Sequence, residues 1–204
     1  SNCGKYDLFI RDLPLGLLYS SRLIAEYYDV RIIDQRIEGD KFYDTLKLLL
    51  DQDPLWVGLT AMTGEPVYHS LNICRFLRKY TKAPLVWGGI HPTILSESTI
   101  KHELVDFLVR GKAERSVQML SLALEGKGSF SDVRGLTYVD KGGEVVDVEE
   151  DSDSEWSELP MVPYHLVNID DYARQGFEQR VFPIMTSRNC PHKCTFCYNS
   201  SLPG

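Results

Sequence analysis

Short β-rich runs alternate with longer amphipathic segments over the first 125 residues of the chain. This pattern predicts strands at residues 7–11, 30–34, 55–60, 84–87 and 105–109. Apolar side chains recur at helical spacing in the segments between them, which predicts helices at residues 15–28, 41–51, 65–80, 92–102 and 114–125. Repeats of strand and helix build parallel sheets that are covered by helices on both faces. The sequence therefore predicts an α/β fold, a doubly wound five-stranded parallel sheet of the Rossmann or flavodoxin type.

The pattern changes after residue 125. Residues 135–148 are typical of a β-hairpin, with Lys141, Gly142 and Gly143 at its turn. A proline-punctuated connection follows at residues 159–164, and we predict a short helix at 169–175 and a strand at 181–186. The last strand leads into a cysteine cluster, so we expect a further domain to begin there. The predicted parts are a domain at 1–125, a hairpin and linker at 126–180, and the start of a second domain at 181–204.

Composition and charge exclude several classes of protein function. The chain has 204 residues, 43% hydrophobic and 25% charged, which is typical of a globular protein. Its net charge is −7, and the segment from Glu144 to Glu158 alone carries −8, so we expect a solvated acidic linker and no nucleic-acid partner. No apolar run approaches the roughly 20 residues that cross a bilayer, and no signal-peptide pattern opens the sequence. We expect a cytoplasmic protein without a transmembrane segment.

Three of the five cysteines, Cys190, Cys194 and Cys197, lie close together with the spacing CxxxCxxC. Clustered thiols in an odd total indicate metal ligation in a reducing compartment and not a secreted disulfide framework. Three thiolates can bind three irons of a cubane cluster and leave the fourth iron open to a small molecule. Zinc is the alternative and would need a fourth protein ligand, for which His192 is a candidate. Cys74 recurs at helical spacing with apolar residues, which predicts a buried structural thiol.

Small residues follow three of the predicted strands. Asp12–Gly16 follows the first strand, Thr60–Met62 closes the third, and Gly88 and Gly89 close the fourth. Ligands of doubly wound sheets bind beyond the carboxyl ends of the strands, and small side chains let a bulky ligand approach the backbone. Ordinary loop chemistry is the alternative, and a flavin could bind at the same edge. A dinucleotide fold is disfavoured because no GxGxxG follows the first strand.

The run from Thr186 to Tyr198, with the aromatic Phe196 just before the last cysteine, resembles the radical S-adenosylmethionine (SAM) superfamily. The resemblance implies that Cys190, Cys194 and Cys197 bind a [4Fe–4S] cluster. The open iron would bind the amino and carboxylate groups of SAM, whose reductive cleavage releases a 5′-deoxyadenosyl radical. Phe196 would shield the cluster and border the adenine.

The three strand-end loops together resemble the cobalamin-binding domain, whose pattern is DxHxxG, then SxL, then GG. Gly16, Thr60–Met62 and Gly88–Gly89 stand at these places in order. Thr60 and Met62 replace the Ser and Leu of the pattern, Arg11 replaces its Asp, and Leu13 stands at the cobalt-ligating histidine. The resemblance therefore implies a nucleotide tail between the strand ends and a corrin over an apolar Leu13, without histidine ligation of cobalt. His91, Arg110 and Gly111 lie on the same edge, where ligand contact and loop packing are both open. The implied cofactor-binding residues are Leu13, Pro14, Leu15, Gly16, Leu17, Thr60, Met62, Thr63, Gly64, Gly88, Gly89, His91, Arg110, Gly111 and Phe196.

The order of domain, linker and cysteine loop resembles cobalamin-dependent radical-SAM enzymes, and is similar to the group of the anaerobic magnesium-protoporphyrin IX monomethyl ester cyclase. The resemblance implies the cobalamin-binding front half of an enzyme that acts on a small-molecule substrate, by methyl transfer or ring formation. A radical-SAM barrel would follow the chain as given. The alternatives are a stand-alone cobalamin carrier or sensor, and a radical-SAM protein whose front domain has lost cobalamin.

Overall fold

A computed structural model describes residues 12–150, 159–172, 182–186, 190, 192 and 194–198. Its helices are α1 (Leu15–Ser20), α2 (Gln35–Glu38), α3 (Phe42–Leu50), α4 (Glu65–Leu77), α5 (Ile90–Ile94), α6 (Ser96–Ile100) and α7 (Glu114–Leu124). Its strands are β1 (Val57–Thr60), β2 (Leu85–Gly88), β3 (Phe107–Val109), β4 (Leu136–Val139) and β5 (Val145–Asp147). Short 3₁₀ turns lie at Ile24–Glu26, Gly39–Lys41, Phe130–Asp132, Tyr164–Leu166 and Ile169–Tyr172. No helix within these residues is long and apolar enough to span a membrane.

The five strands of the described residues form one sheet in the order β1-β2-β3-β4-β5. β1, β2 and β3 run parallel, with α4 connecting β1 to β2, and α5 and α6 connecting β2 to β3. β4 and β5 are the predicted hairpin, and β4 pairs antiparallel with β3. The predicted doubly wound α/β class is confirmed, and the sheet is mixed instead of wholly parallel. The hairpin satisfies backbone groups that β3 would otherwise leave open at a sheet edge.

One of the first two predicted strands lies outside the described residues, and the other is not a strand. The first, at residues 7–11, lies outside the described residues. The second, at 30–34, has no strand, although Val30 and Ile33 still pack into the two core clusters on opposite sides of the sheet. A strand requires hydrogen bonds to the backbone of a neighbouring strand. Among the described residues, no strand pairs with residues 30–34. The apolar pattern therefore correctly predicted that these side chains are buried, but it did not predict whether the backbone pairs with a neighbouring strand.

Two of the predicted helices are shorter or divided in the structure. The hydroxyls of Ser20 and Ser21 both donate to the carbonyl of Leu17, at 2.9 and 2.8 Å, and α1 ends there instead of continuing to residue 28. The predicted helix at 92–102 is α5 and α6, separated at Leu95, whose φ of −122° and ψ of 43° are not helical. The helices predicted at 41–51, 65–80 and 114–125 are confirmed as α3, α4 and α7. The described residues 182–186 contain no strand.

β2 lies at the centre of the core because both of its faces are covered. Leu85 and Trp87 pack with α3 and α4 on one side, whereas Val86 packs with α7 on the other. Trp87 donates its indole N–H to the sulfur of Cys74 at 3.3 Å, and Cys74 is fully buried, as the sequence predicted. Burying side chains of this size contributes roughly 1.5–3 kcal/mol each. The parallel part of the sheet, which carries the candidate ligand loops, is therefore held rigidly from both faces.

Candidate functional site

The loops that follow β1 and β2 lie side by side at the carboxyl edge of the sheet. The amide of Ala61 donates to the carbonyl of Gly88 at 2.9 Å, and the amide of His91 donates to the carbonyl of Ala61 at 3.1 Å. These bonds continue the pairing of β1 and β2 beyond the strands. The structure therefore brings together the predicted residues Thr60–Gly64 and Gly88–His91, which lie far apart in the sequence.

Two glycines of these loops have distinct surroundings. Gly89 has φ of +95°, and a Cβ there would lie 2.8 Å from Thr60 Oγ1 and 2.9 Å from the Ala61 carbonyl. Only glycine allows this close approach of the two loops. Gly64 has φ of +107°, and a Cβ there would meet nothing within 4 Å. Gly89 therefore keeps the loops together, while Gly64 keeps open space beside them.

A polar pair lies between the same loops. Thr63 Oγ1 and His91 Nδ1 are 3.0 Å apart. Partial burial lowers the pKa of His91, because removal of water disfavours the charged imidazolium. At neutral pH the site therefore presents a neutral imidazole beside a hydroxyl, which suits hydrogen bonding to a polar ligand group.

Four exposed apolar side chains belong to the same loops or to the helices that follow them. Met62, in the loop after β1, is 64% exposed. Tyr68, in the first turns of α4, is 62% exposed, and α4 begins directly after that loop. Ile94 and Leu95 are exposed at the end of α5, which begins just after Gly89. Exposed apolar residues around a few polar groups are typical of binding sites for large, partly apolar ligands. The sequence analysis missed Tyr68, Ile94 and Leu95, because they lie within predicted helices and not in the loops.

At the end of β3, Arg110 is bound by the hairpin. Its guanidinium pairs with Asp147 at 2.6 Å and Glu150 at 3.0 Å, and its Nε donates to Thr137 Oγ1 at 2.9 Å. Burial raises the pKa of Glu150 despite the adjacent arginine. Gly111 has φ of +62°, and a Cβ there would collide with the Glu150 carboxylate. These contacts give both Arg110 and Gly111 a structural role, and their contact with a cofactor stays a prediction.

The residues predicted to lie beside the corrin, Leu13–Leu17, are a short loop and the first turn of α1, which begins at Leu15, and the linker partly covers them. Leu13 is only 6% exposed and lies in one apolar cluster with Leu18 and Tyr172, the last residue described in the linker. Gly16 is exposed, and a Cβ there would meet nothing within 4 Å. Pro14, Leu15 and Leu17 are half-buried. The position of Leu13 below a corrin stays a prediction, and in this structure its side chain packs beneath the linker.

The three clustered cysteines are all among the described residues, and none of them forms a disulfide. Cys190 and Cys194 are exposed, and the amide of Cys197 donates to the carbonyl of Cys194 at 3.1 Å. Phe196 is 91% exposed. Within the described residues, which include these cysteines and His192, no three metal-ligating side chains are placed to share an ion. The donor set itself, three thiols at CxxxCxxC spacing, suits an iron–sulfur cluster, and cluster binding would require the three sulfurs to come together.

The segment that precedes the cysteines contacts the N-terminal part of the domain. Tyr19 of α1 donates its hydroxyl to the carbonyl of Met185 at 3.3 Å. The rings of Tyr164 and Phe182 pack edge to face, with centroids 4.9 Å apart. Arg22, also near α1, donates to the carbonyls of Leu159 and Pro160. The linker and the segment after it therefore both contact α1 or the residues just after it, and α1 contains three of the predicted corrin-binding residues, Leu15, Gly16 and Leu17.

The fold and this edge define a doubly wound domain with a candidate ligand site across its strand ends. The B12 binding domain family matches residues 13–121, more than half of the chain, and this match includes all the strand-end loops. The chain belongs to the B12-binding domain family.

Relatives and solved structures agree with this assignment. The chain is 32% identical over 189 residues to the uncharacterized methyltransferase PH0819 of Pyrococcus horikoshii, covering 92% of this chain and 40% of that protein. It is 27% identical over 190 residues to the anaerobic magnesium-protoporphyrin IX monomethyl ester cyclase of Synechocystis, covering 90% of this chain and 37% of that protein. The chain thus spans about two fifths of the length of these relatives.

Two cobalamin-dependent enzymes share the fold. The apo structure of the SAM radical enzyme OxsB matches 90% of this chain and 25% of its own, with a TM-score of 0.69 and 20% identity. The radical SAM methyltransferase TsrM of Kitasatospora setae, with cobalamin and a [4Fe–4S] cluster bound, matches 73% of this chain and 28% of its own, with a TM-score of 0.60 and 22% identity. The resemblance to the cobalamin-dependent radical-SAM family is confirmed.

Proposed function

We propose that this chain is the cobalamin-binding part of a radical-SAM enzyme that cleaves SAM at a [4Fe–4S] cluster and acts on a small molecule by methyl transfer or ring formation. The observation that carries the proposal is the family match over residues 13–121 followed by the CxxxCxxC loop. The chain spans about two fifths of the length of its curated relatives. The barrel that would contact SAM and the substrate is therefore itself part of what we propose. We also propose a cytoplasmic location, since clustered free thiols require a reducing compartment.

The strand-end residues suit the shape of cobalamin. Gly64 leaves open space beside the loop after β1, and the Thr63 and His91 pair supplies polar groups for the nucleotide tail. Exposed Met62 offers apolar contact and would exclude water from the ring edge. Gly16 lies in the first turn of α1 and has open space beside it, which would allow close approach. Bound cobalamin would supply a cobalt centre able to carry a methyl group, and these residues would orient it.

The cysteine loop supplies the second part of the proposal. Cys190, Cys194 and Cys197 would each ligate one iron through a thiolate, and Phe196 would cover one side of the cluster. The bound cluster would supply the electron for cleavage of SAM. The contact between Tyr19 and Met185 ties the chain just before this loop to α1, and so to the loop before it. This tether supports a cluster on the same side of the molecule as the corrin.

Iron, sulfide and corrin content per chain test the proposal. The protein is reconstituted anaerobically with iron and sulfide, incubated with hydroxocobalamin and desalted. We expect the wild type to retain all three, and the combined Cys190→Ala, Cys194→Ala and Cys197→Ala variant to retain only the corrin. Cys74→Ala is the matched control, because this thiol is buried against Trp87, and we expect it to retain all three.

The other outcomes select the alternatives. Corrin without iron or sulfide in the wild type would indicate a cobalamin carrier or sensor. Iron and sulfide without corrin would indicate a radical-SAM protein that has lost cobalamin. Iron retained by the variant that lacks the three cysteines would contradict their assignment as ligands.

A further inference from the structure

Thr93, which the sequence analysis gave no role of its own, bridges two strand-end loops. Its hydroxyl donates to the carbonyl of Gly89 at 2.7 Å, and it accepts the amide of Gly111 at 3.1 Å. Gly89 follows β2 and Gly111 follows β3, so one side chain joins the ends of two neighbouring parallel strands. A hydroxyl is suited to this position because it donates and accepts at the same time.

The two loops that Thr93 joins have little freedom elsewhere. Gly89 is packed against Thr60 and Ala61 so closely that a Cβ would not fit. Gly111 packs against Glu150, which is held by Arg110. Each loop is therefore also contacted from its far side, and the hydroxyl of Thr93 links the two loops to each other. Loss of this bridge would let the Gly89 loop shift relative to β3 without unfolding the sheet.

We propose that Thr93 is a positioning residue for the cobalamin site, which holds the Gly88–Gly89 loop at the spacing that admits the nucleotide tail. This inference rests on the proposed function, because it assumes that the tail enters beside this loop. Thr93 is not assigned a contact with the cofactor. It acts through Gly89, which packs against Thr60 and precedes His91 by two residues, so the position of Gly89 affects the positions of Thr60 and of the Thr63–His91 pair.

The test compares the affinities of three variants for two corrinoids. Thr93→Val keeps the shape of the side chain and the backbone hydrogen bond to Gly89 but removes both hydrogen bonds of the hydroxyl, whereas Thr93→Ser keeps the hydroxyl. Thr99→Val is the matched control, because the hydroxyl of Thr99 donates to the carbonyl four residues earlier, Leu95, at 2.6 Å, as Thr93 does to Gly89. The probes are hydroxocobalamin and cobinamide, which has the corrin ring without the nucleotide tail. Thermal unfolding of each variant is measured in parallel.

We expect Thr93→Val to weaken hydroxocobalamin binding about tenfold, as the loss of two ordinary hydrogen bonds allows. Cobinamide binding should be unchanged, Thr93→Ser should restore the wild-type affinity, and Thr99→Val should lower the unfolding temperature without changing either affinity. Equal hydroxocobalamin affinity in the wild type and Thr93→Val would overturn the inference, and so would an equal loss for cobinamide. A wild type that binds neither corrinoid would instead overturn the proposed function, and this inference with it.

Discussion

His91 shows how one side chain adds pH dependence to the candidate site. Its ring lies within hydrogen-bonding distance of Thr63, and burial lowers its pKa. The unfolded chain therefore binds the imidazole proton more readily than the folded chain does. As the pH falls below about 6.5, the unfolded state takes up the proton first, and the folded state loses stability relative to it.

We predict that His91→Gln reduces the acid sensitivity of the fold. The amide keeps a hydrogen-bonding group near Thr63 and does not titrate, so the contribution that is present above about pH 6.5 and lost below it disappears. The measurement is the free energy of unfolding in urea at about pH 7.5 and about pH 5.5. The wild type should lose more stability than the variant over this interval, and equal losses would contradict the assignment.

For single residues, the sequence identified the glycines of the strand-end loops but not the residues that contact them. The sequence predicts that a ligand approaches the backbone at Gly88 and Gly89, and this stays a prediction; in the structure, the loop of Thr60 and Ala61 is what approaches Gly89. The bridge made by Thr93 could not be predicted, because it depends on Gly111, eighteen residues further along the chain. A contact between two strand ends is set by the register of the strands, which one sequence does not contain.

The hairpin β4–β5 is the element whose role differs most from expectation. We predicted it as a separate unit after the domain, and it forms the outer part of the domain's own sheet. Its amphipathic pattern correctly located both strands, since alternation is a local property. The partner of β4 is β3, and this pairing is not local. The ion pairs of Arg110 with Asp147 and Glu150 then fix the hairpin to the end of β3.

Arg110 and Glu150 should contribute unequally to stability. Arg110→Gln leaves two carboxylates facing each other without a cation, and we predict a loss of about 3 kcal/mol. Glu150→Gln should change stability by less than about 1 kcal/mol, because Arg110 keeps Asp147 and folding already disfavours the ionised form of Glu150. Urea unfolding near neutral pH measures both values.

Arg31→Gln is the control for that comparison. Arg31 pairs with Asp29 at 3.0 Å, but both side chains are well exposed, so its loss should cost less than about 1 kcal/mol. If Glu150→Gln destabilised the protein as much as Arg110→Gln, the carboxylate and not the arginine would be the main stabilising group of the hairpin junction.

For the molecule as a whole, the linker joins the candidate corrin site to the cysteine loop. Tyr172 of the linker packs in one apolar cluster with Leu13. Arg22 donates to the backbone at the start of the proline-punctuated connection, and Tyr19 contacts the segment that precedes Cys190. The sequence predicted the order of these parts and the residues of each loop. It did not predict that they converge on α1, because the linker has no periodic pattern from which packing could be inferred.

Cobalamin affinity of the wild type, Gly64→Ala and Gly143→Ala tests the central claim most directly. Both glycines have positive φ, +107° and +85°, and at both a Cβ would meet nothing within 4 Å, so both alanines carry backbone strain and neither creates an internal clash. Only Gly64 lies at the carboxyl edge, whereas Gly143 lies in the turn between β4 and β5.

The measurement is a titration with hydroxocobalamin, followed by its visible absorption after dialysis. We predict that the wild type and Gly143→Ala bind about one equivalent, and that Gly64→Ala binds at least about tenfold more weakly, because its methyl group occupies space that the ligand needs. A wild type that retains no corrinoid, or equal affinity in the two alanine variants, would contradict a cobalamin site at this edge of the sheet.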